Sequence, residues 1–211
     1  MYKKLLAAAL ITSMLVLPVN STGPAVSSEA PPAGPAQDYL PGDVPAQTDA
    51  AESMAPAFHA LVLAMLNHDA DQFPFADSSL NWEALYNMLS LYGQLDSRSV
   101  IEKGEMLFPE ETLLDYAAAL SLTAKQLDSP PAALRDRLNY DNVSRCYVIF
   151  RGEDDQAGIQ VDDTRCAGGD LILTGSLVSE VDGQVLTQFQ AVLQPRDNMF
   201  GWAVTALTVT G

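Results

Sequence analysis

The two histidines are the residues of this chain best suited to acid–base chemistry or metal binding. His59 and His68 are nine positions apart, which at ~100° per residue places them on opposite sides of a shared helix. They therefore do not form the i, i+4 pair with which a helix holds one metal ion. We predict that His59 packs beside an apolar helix face and that His68 lies at the helix C-terminus, where the dipole favours positive charge.

Short groups of acidic residues supply the oxygen atoms that a divalent cation needs. Asn67, Asp69 and Asp71 alternate as in a calcium loop, but the glycine and the distant glutamate that complete an EF-hand are missing. The groups 153–155 and 162–163 are expected near one hairpin end, where a solvated turn is favoured over a weak cation site. We therefore predict no metal site and no cofactor.

The motifs of common catalytic and nucleotide-binding sites are missing from the sequence. It contains no Gly-x-Ser-x-Gly elbow, no phosphate-binding glycine loop, no Cys-x-x-Cys pair and no metalloprotease helix. Acidic residues are so abundant that their number says nothing about a carboxylate pair for glycoside hydrolysis, which depends on a three-dimensional separation. Core packing is the expected role of the larger aromatic residues, Trp82, Tyr86, Tyr92, Tyr116 and Trp202. The sequence predicts no catalytic residue.

The two cysteines, Cys146 and Cys166, are predicted to form a disulfide. If the strands on either side of the loop 152–158 pair about Gln156, the two cysteines fall opposite each other. An exported protein meets an oxidising compartment, and closing this loop would stabilise the fold by ~3 kcal/mol in the chain-entropy model. A reactive free thiol beside the neighbouring arginines is the alternative.

The N-terminus has the pattern of a cleavable secretory signal peptide, 1–21. A basic start precedes an uncharged apolar run of 15 residues, 5–19, which is shorter than the ~20 residues of a membrane-spanning helix. Pro18 breaks the helix near its end, and we place the cleavage after Ser21. An uncleaved membrane anchor is the alternative. We expect an extracytoplasmic protein, secreted or associated with the cell surface, whose one membrane contact is the transient signal peptide.

The chain is strongly acidic. Its formal net charge changes from −16 to −18 on cleavage, because Lys3 and Lys4 and no acid are lost. No Lys or Arg occurs between Lys4 and Arg98. Because nucleic-acid binders need cations to displace counterions from phosphates, this charge excludes a nucleic-acid partner. Anionic membranes and wall polymers are repelled as well, and the acidity is expected to keep an exported protein soluble or to attract cations and basic partners.

Composition divides the processed chain into a linker and one domain. Residues 22–53 are rich in Pro, Ala, Ser and Gly and have too few apolar side chains to offset the entropy of ordering them. We predict a disordered linker there, either a spacer that holds the domain away from an envelope or a plain disordered terminus. Residues 54–211 have the length of a single domain with its own core.

Helical periodicity fills the first half of this domain. We predict a first helix with Ser53 as N-cap and Pro56 in its first turn, a second over 80–92 that Gly93 ends in a left-handed cap, and a third whose first residue is Pro109. A small hairpin is predicted over 99–108. The inward faces of the three helices are predicted to be Phe58, Leu61, Val62, Met65 and Leu66, then Trp82, Leu85, Tyr86 and Leu89, then Leu113, Tyr116, Ala117 and Leu120.

From Arg145 onward the apolar residues recur with a period of two, which indicates strands. The predicted fold class is α+β, with two to three N-terminal helices packed on one face of a C-terminal antiparallel meander of about five strands. The predicted strands are 146–151, 158–163, 170–180, 184–194 and 201–210.

The third and fourth of these strands form a hairpin whose register can be predicted. A three-residue loop with a left-handed Gly183 pairs Glu180 with Gln184 and builds a continuous apolar face. The further pairs are Leu171 with Leu193, Leu173 with Ala191, Gly175 with Phe189, whose ring covers the bare glycine, and Leu177 with Thr187. The opposite face is semi-polar and carries Thr174, Ser176, Gln188 and Gln190 together with Ile172, Val178, Leu186 and Val192.

Helices followed by a long meander that ends in 201–210 resemble the nuclear transport factor-like and cystatin-like α+β cone domains. The chain is also similar to uncharacterised exported bacterial proteins of this plan, with 108–111 beginning a helix and 147–150 beginning the sheet. The resemblance covers most of 80–211 as pattern and topology. It implies a small ligand between helices and concave sheet and, in some members, an enzymatic Asp–His pair. The second half of this chain has no histidine, which argues against the enzymatic role.

We predict an exported, non-catalytic domain that binds a protein, a peptide or a small ligand. The linker and the missing catalytic set favour this function, and the semi-polar sheet face is the candidate interaction surface. One alternative is a hydrolase or isomerase with convergent acids in a pocket between helices and sheet. The other alternative is a structural envelope component that self-associates.

Overall fold

The computed structural model describes residues 47–127, 130–152 and 156–210. They belong to one compact unit, Gly42–Gly211. The predicted signal peptide and most of the predicted linker lie outside the described residues, as does the acidic group 153–155. Within the described ranges, no helix combines the length and the hydropathy required to cross a bilayer.

The first helix, α1 (Gln47–Asn67), begins inside the predicted linker. Ser53 is therefore a residue of the helix and not its N-cap, and its hydroxyl donates a hydrogen bond to the carbonyl oxygen of Phe200 at 2.7 Å. Pro56 also lies in the helix interior and not in its first turn, so both predictions are wrong. The early turns form because they bury apolar side chains, including the fully buried Met54, and tertiary burial stabilises a helix more than propensity does.

The second helix, α2 (Ser78–Tyr92), lies where the sequence predicts one, and Asp77 is its N-cap. The Asp77 carboxylate accepts hydrogen bonds from two backbone N–H groups of the first turn at 2.9 and 3.2 Å. The predicted left-handed cap at Gly93 is wrong, because Gly93 has a φ of −56° and begins a 3₁₀ turn, Gly93–Leu95. An added Cβ at Gly93 would meet the sulfur of the buried Met106, whose side chain would have to shift.

The third helix, α3 (Glu110–Ala119), starts one residue later than predicted. Pro109 has extended backbone and is the N-cap, not the first helical residue. Glu110 and Glu111 occupy the first turn, where their charges complement the helix dipole as expected.

The predicted inward faces of the helices are buried with two exceptions. Leu66 at the end of α1 is 40% exposed. Tyr86 of α2 is half-buried. The other predicted core residues of the helices are buried: Phe58, Leu61, Val62, Met65, Trp82, Leu85, Leu89, Leu113, Tyr116, Ala117 and Leu120.

A small antiparallel sheet contains β1 (Val100–Glu102), β2 (Glu105–Phe108), β3 (Leu138–Asp141) and β4 (Cys146–Phe150) in the order β1-β2-β4-β3. β1 and β2 form the predicted hairpin, and its two turn residues have positive φ values of 54° and 85°. β4 lies between β2 and β3 and pairs with both.

The C-terminal sheet contains β5 (Ala157–Ala167), β6 (Asp170–Ser179), β7 (Val185–Pro195) and β8 (Trp202–Thr210) as an antiparallel meander in chain order. The described residues thus form three α-helices and two four-stranded antiparallel sheets, which confirms the α+β class. The predicted single meander of five strands is wrong, because the strand predicted to be its first, 146–151, is β4 of the small sheet. Both edges of β4 are occupied within the small sheet, so β5 starts a separate sheet.

The pairing of β6 with β7 follows the predicted register over most of its length. Gly183 has a φ of 70°, as predicted. The predicted pair Glu180–Gln184 is wrong, since the N–H of Ser179 donates to the Gln184 carbonyl at 2.8 Å. A bulge with Leu186 as the extra residue restores the register. The confirmed pairs are Leu171 with Leu193, Leu173 with Ala191, Gly175 with Phe189, and Leu177 with Thr187.

The helices and the C-terminal sheet share a core. The ring centroids of Phe58 in α1 and Phe189 in β7 are 5.3 Å apart. Tyr116 of α3 and Phe200 meet edge to face at 5.0 Å. Odd-numbered side chains of β6 and β7 are buried from Leu171 to Leu177 and from Thr187 to Leu193, so each strand turns one face toward this core.

Candidate functional site

The outer face of the C-terminal sheet is the side of β5–β8 opposite to the ring of Phe189. Alternation along the strands places amide, hydroxyl and charged side chains there. The polar members of the outer face include Gln160, Asp162, Asp163, Arg165, Thr174, Ser176, Gln188, Gln190, Thr208 and Thr210. The last four of these side chains are exposed.

A shallow depression of about 320 Å³ lies on the outer face. Six polar members of the face line it, with Gly175 and Phe189 between them. Amide and hydroxyl groups offer both hydrogen-bond donors and acceptors. The arrangement therefore suits hydrogen bonding to a polar ligand.

Asp162 reaches the outer face through a β-bulge. The residues on either side of it pair with consecutive residues of β6, which leaves Asp162 as the extra residue, and bulges commonly re-aim a side chain. Its carboxylate accepts hydrogen bonds from Gln160 Nε2 at 3.0 Å and from Ser176 Oγ at 3.2 Å. The expected position of Asp162 and Asp163 near a hairpin end is wrong, because both lie within β5.

The predicted apolar members of this face differ in exposure. Ile172, Val178 and Val192 are half-buried. Leu186 is 51% exposed, as the extra residue of the β6–β7 bulge, and the neighbouring Val185 is 57% exposed. The outer face is therefore not buried as a whole.

A second depression, the helical cleft, lies between α2, the end of α1 and the segment 130–137. Its volume is about 320 Å³. α2 contributes four polar side chains at i, i+4, i+7 and i+8, a spacing that places them on one side of the helix. The cleft is lined by Asn67, Ser79, Glu83, Tyr86, Asn87, Pro131, Ala133, Leu134 and Arg137.

Glu83 connects α2 to the end of α1. Its Oε1 accepts a hydrogen bond from Asn67 Nδ2 at 2.8 Å, and its Oε2 lies 2.7 Å from Nε2 of His68. His68 follows the last residue of α1, as predicted. An imidazole held by a carboxylate is part of a nucleophile-activating triad, but among the described residues no hydroxyl or thiol is hydrogen-bonded to His68. The contacts of Glu83 with Asn67 and His68 orient polar groups at the cleft.

His59 has the packed position that the sequence predicts. It is 2% exposed within α1, and its Nδ1 lies 2.6 Å from the hydroxyl oxygen of Tyr92. The two rings meet edge to face with centroids 5.9 Å apart. His59 and His68 therefore have separate surroundings, one in the core and one at the surface.

The alternating group Asn67, Asp69 and Asp71 does not form a calcium loop. Asn67 is bound to Glu83. The Asp71 carbonyl accepts a hydrogen bond from the N–H of Val209 at 2.9 Å, so this segment runs along β8. Within the part of the chain that the structure describes, no group of three or more His, Cys, Asp or Glu side chains is arranged to hold a metal ion.

A buried carboxylate, Asp96, joins the 3₁₀ turn after α2 to α3. It accepts hydrogen bonds from Arg98 Nη2 at 2.6 Å and from Thr112 Oγ1 at 2.8 Å, and Arg98 also donates to Asp115 at 2.5 Å. Burial favours the neutral acid, but the bonds from Arg98 and Thr112 outweigh it and hold the pKa of Asp96 below its ordinary value. Hydrogen bonds to Asp96 and Asp115 raise the pKa of Arg98. This network stabilises the fold and lies outside both depressions.

Cys146 and Cys166 lie on strands of different sheets. Cys146 begins β4 opposite Asp141, and Cys166 lies in β5 opposite Leu171. The register about Gln156 that placed the two cysteines opposite each other is therefore wrong. Their sulfurs are not bonded to each other in the structure, and the disulfide stays a prediction.

Glu83 and Arg137 are the site residues that sequence reasoning missed. The available signal was the polar side of α2, where Ser79, Glu83 and Asn87 recur at intervals of four. Nothing in the local pattern around Arg137 indicates that its segment lies against α2.

Comparison of the chain with protein-family profiles, with curated proteins and with solved structures found no match. The geometry of the two depressions is therefore the basis for a functional proposal, since a fold class alone does not specify an activity.

Proposed function

We propose that this chain is an exported, non-catalytic binding domain whose outer face contacts a partner. The observation that carries the proposal is the exposed outer face, where amide and hydroxyl side chains surround a depression of about 320 Å³. Antiparallel sheets commonly pack one face on the core and leave the other in water. A polar face with a depression suits recognition through hydrogen bonds.

A polypeptide fits this face better than a small molecule does. The exposed polar side chains extend over two neighbouring strands, from Gln188 and Gln190 in β7 to Thr208 and Thr210 in β8, so the face can contact several residues of a partner at once. Val185 and Leu186, which are 57% and 51% exposed, add apolar surface at the loop end of β7. Protein interfaces combine such apolar contacts with a polar surround.

The proposal includes the arrangement expected from the sequence, with the helices on one face of the C-terminal sheet. It is supported by the 5.3 Å separation of the Phe58 and Phe189 rings. The hydrogen bond from Ser53 to the carbonyl of Phe200 supports it as well. With the helices on the inner face, the outer face is the side that a partner can reach.

Export and partner charge belong to the same proposal. The pattern of a signal peptide over 1–21 supports export. The net charge of −16 favours a neutral or basic polypeptide over an anionic one, and Asp162 and Asp163 place carboxylates on the outer face itself. Nucleic acid and anionic membranes are not proposed as partners.

Selection of displayed peptides on the full-length exported protein tests this function. Gln190→Arg replaces an exposed amide of the outer face with a larger cation, and Asn139→Arg makes the same change at an exposed position of β3. We expect peptides selected on the wild type to lose binding to Gln190→Arg and to keep binding to Asn139→Arg. Equal binding to both variants would refute the outer face as the site, and cleavage of the selected peptides would refute a non-catalytic role.

A further inference from the structure

The helical cleft brings groups of opposite charge together with neutral hydrogen-bonding groups. Glu83 and Arg137 both line it, with Tyr86 and Asn87 on the same side of α2. Leu134 is 8% exposed and adds an apolar wall. The volume of about 320 Å³ lies at the lower end of the range of small-ligand clefts, roughly 300–1,000 Å³.

Arg137 is suited to bind a carboxylate. Its planar guanidinium presents a fork of N–H donors that matches the two oxygens of a carboxylate. Arg137 is exposed, and among the ion pairs of the described residues none includes it. Its donors are therefore available to a ligand in the cleft.

Glu83 is suited to bind an ammonium group. An ionised carboxylate has about four acceptor positions, and Asn67 and His68 use two of them at 2.8 and 2.7 Å. These two contacts fix the carboxylate in place. Its remaining acceptor positions are available to a donor in the cleft.

A zwitterion fits these two residues better than a simple ion does. A net anion is repelled by Glu83 and by the chain's charge of −16, and a simple cation on Glu83 leaves the guanidinium of Arg137 without a counter-charge, whereas a zwitterion pairs with both residues. We propose that the helical cleft binds a free α-amino acid, with the ligand carboxylate on Arg137, the ammonium on Glu83 and the side chain beside Leu134. This site is separate from the outer face, and neither proposal depends on the other.

Amide NMR titration of the full-length exported protein with the standard L-amino acids tests the ligand class. We expect at least one amino acid at millimolar concentration to shift the resonances of cleft residues. Its N-acetyl derivative lacks the ammonium and its amide lacks the carboxylate, so each is expected to bind about tenfold or more weakly. Absence of any shift in the cleft, or equal binding of the N-acetyl derivative, would overturn the proposal.

Variants of the two charged residues test the assignment within the cleft. We expect Arg137→Gln and Glu83→Gln each to weaken binding by roughly tenfold to a hundredfold. Arg196→Gln, which removes an exposed cation from the β7–β8 loop, is the matched control and should bind as the wild type does. The melting temperature of each variant shows whether the fold is kept. Unchanged binding by folded Arg137→Gln would also overturn the proposal.

Discussion

The ring of Phe189 lies directly against the backbone of Gly175. A Cβ placed on Gly175 would be 2.7 Å from Cζ of Phe189 and 2.5 Å from the carbonyl oxygen of Gln160. The centroid of the Phe58 ring lies 5.3 Å from that of the Phe189 ring, and the carbonyl belongs to the neighbouring strand β5. Gly175 is therefore required by the close approach of its neighbours, and no larger residue fits without movement of the sheet or the ring.

We expect Gly175→Ala to destabilise the protein by about 1–3 kcal/mol, the usual cost of overpacking a filled core. Urea unfolding measures this as a lower midpoint. Elsewhere the same substitution tends to stabilise a protein by restricting its unfolded chain, so a raised midpoint would contradict the predicted collision. Phe189→Leu is the companion variant. The double variant should lose less stability than the two single losses added together, because the shorter side chain relieves part of the collision.

The N-cap of α2 gives a second prediction. Asp77 accepts hydrogen bonds from the N–H groups of Ser79 and Leu80, so Asp77→Ala should cost about 0.5–2 kcal/mol in the free energy of unfolding. Asp77→Asn keeps a side-chain acceptor and should cost much less. Chemical denaturation of both variants provides the measurement. Equal losses in both would show that the carboxylate charge, and not the cap, is what matters.

The lowered pKa of Asp96 predicts a stability that acid removes. Because its folded-state pKa lies below the unfolded value of ~3.9, the ionised group stabilises the fold above that pH, and this contribution disappears as pH falls through the folded-state pKa. Arg98→Gln should therefore cost about 1–3 kcal/mol near neutral pH, a range that allows for the partial exposure of Arg98.

The pH dependence separates this ion pair from a simple packing effect. We expect the stability difference between wild type and Arg98→Gln to be smaller at a pH well below ~3.9, the unfolded pKa of an aspartate, than near neutral pH, because the wild type then loses the contribution of the ionised pair. Urea unfolding at the two pH values measures the difference. A difference that is equal at both values would assign the loss to packing. Arg196→Gln is the control for removal of one positive charge.

Mass spectrometry of the exported protein under non-reducing conditions tests processing and the cysteines together. We expect a chain that begins at Thr22, as cleavage after Ser21 requires. The Cys146–Cys166 bond now rests on the oxidising compartment alone, and its formation would lower the mass by two hydrogens and link the small sheet to the C-terminal sheet. Alkylation of both cysteines without reduction would disprove the bond, and a mass that includes 1–21 would disprove the cleavage.

The register of β6 and β7 could be predicted because local rules determine it. Side chains alternate with a period of two, and a shift by one residue would expose every apolar side chain. The pairing of Gly175 with Phe189 adds a shape requirement at one position. The bulge at Leu186 was not predictable in the same way, since it compensates for a loop one residue longer than the apolar pattern requires.

The place of β4 and the start of α1 could not be predicted, because both depend on residues that are distant in the sequence. β4 has the alternation of any strand, and nothing in 146–150 specifies that its partners are β2 and β3 rather than β5. The first turns of α1 have a linker-like composition and become helical because Met54 and its neighbours are buried by other elements.

The two candidate sites differ in the same respect. The polar members of the outer face follow from strand alternation, so Thr174, Gln188 and Gln190 were named correctly from the sequence. The helical cleft requires the segment 130–137 to lie against α2, and no local pattern brings Arg137 to Glu83. The sequence therefore predicted the outer face, whose polar residues follow from the pairing of β6 with β7. It did not predict the helical cleft, which three segments distant in the sequence form together.

The segment 71–73 pairs with β8 through Gln72 and Thr208, so that border of the C-terminal sheet is already occupied by the chain itself. The opposite border, β5, carries the bulge at Asp162 and the charged side chains of Asp163 and Arg165, features that hinder the addition of a foreign strand. A second copy of this domain would therefore find the β8 edge paired with the segment 71–73 and the β5 edge interrupted by a bulge and by charged side chains. Growth of this sheet into a fibre-like stack by strand addition is therefore disfavoured at both edges.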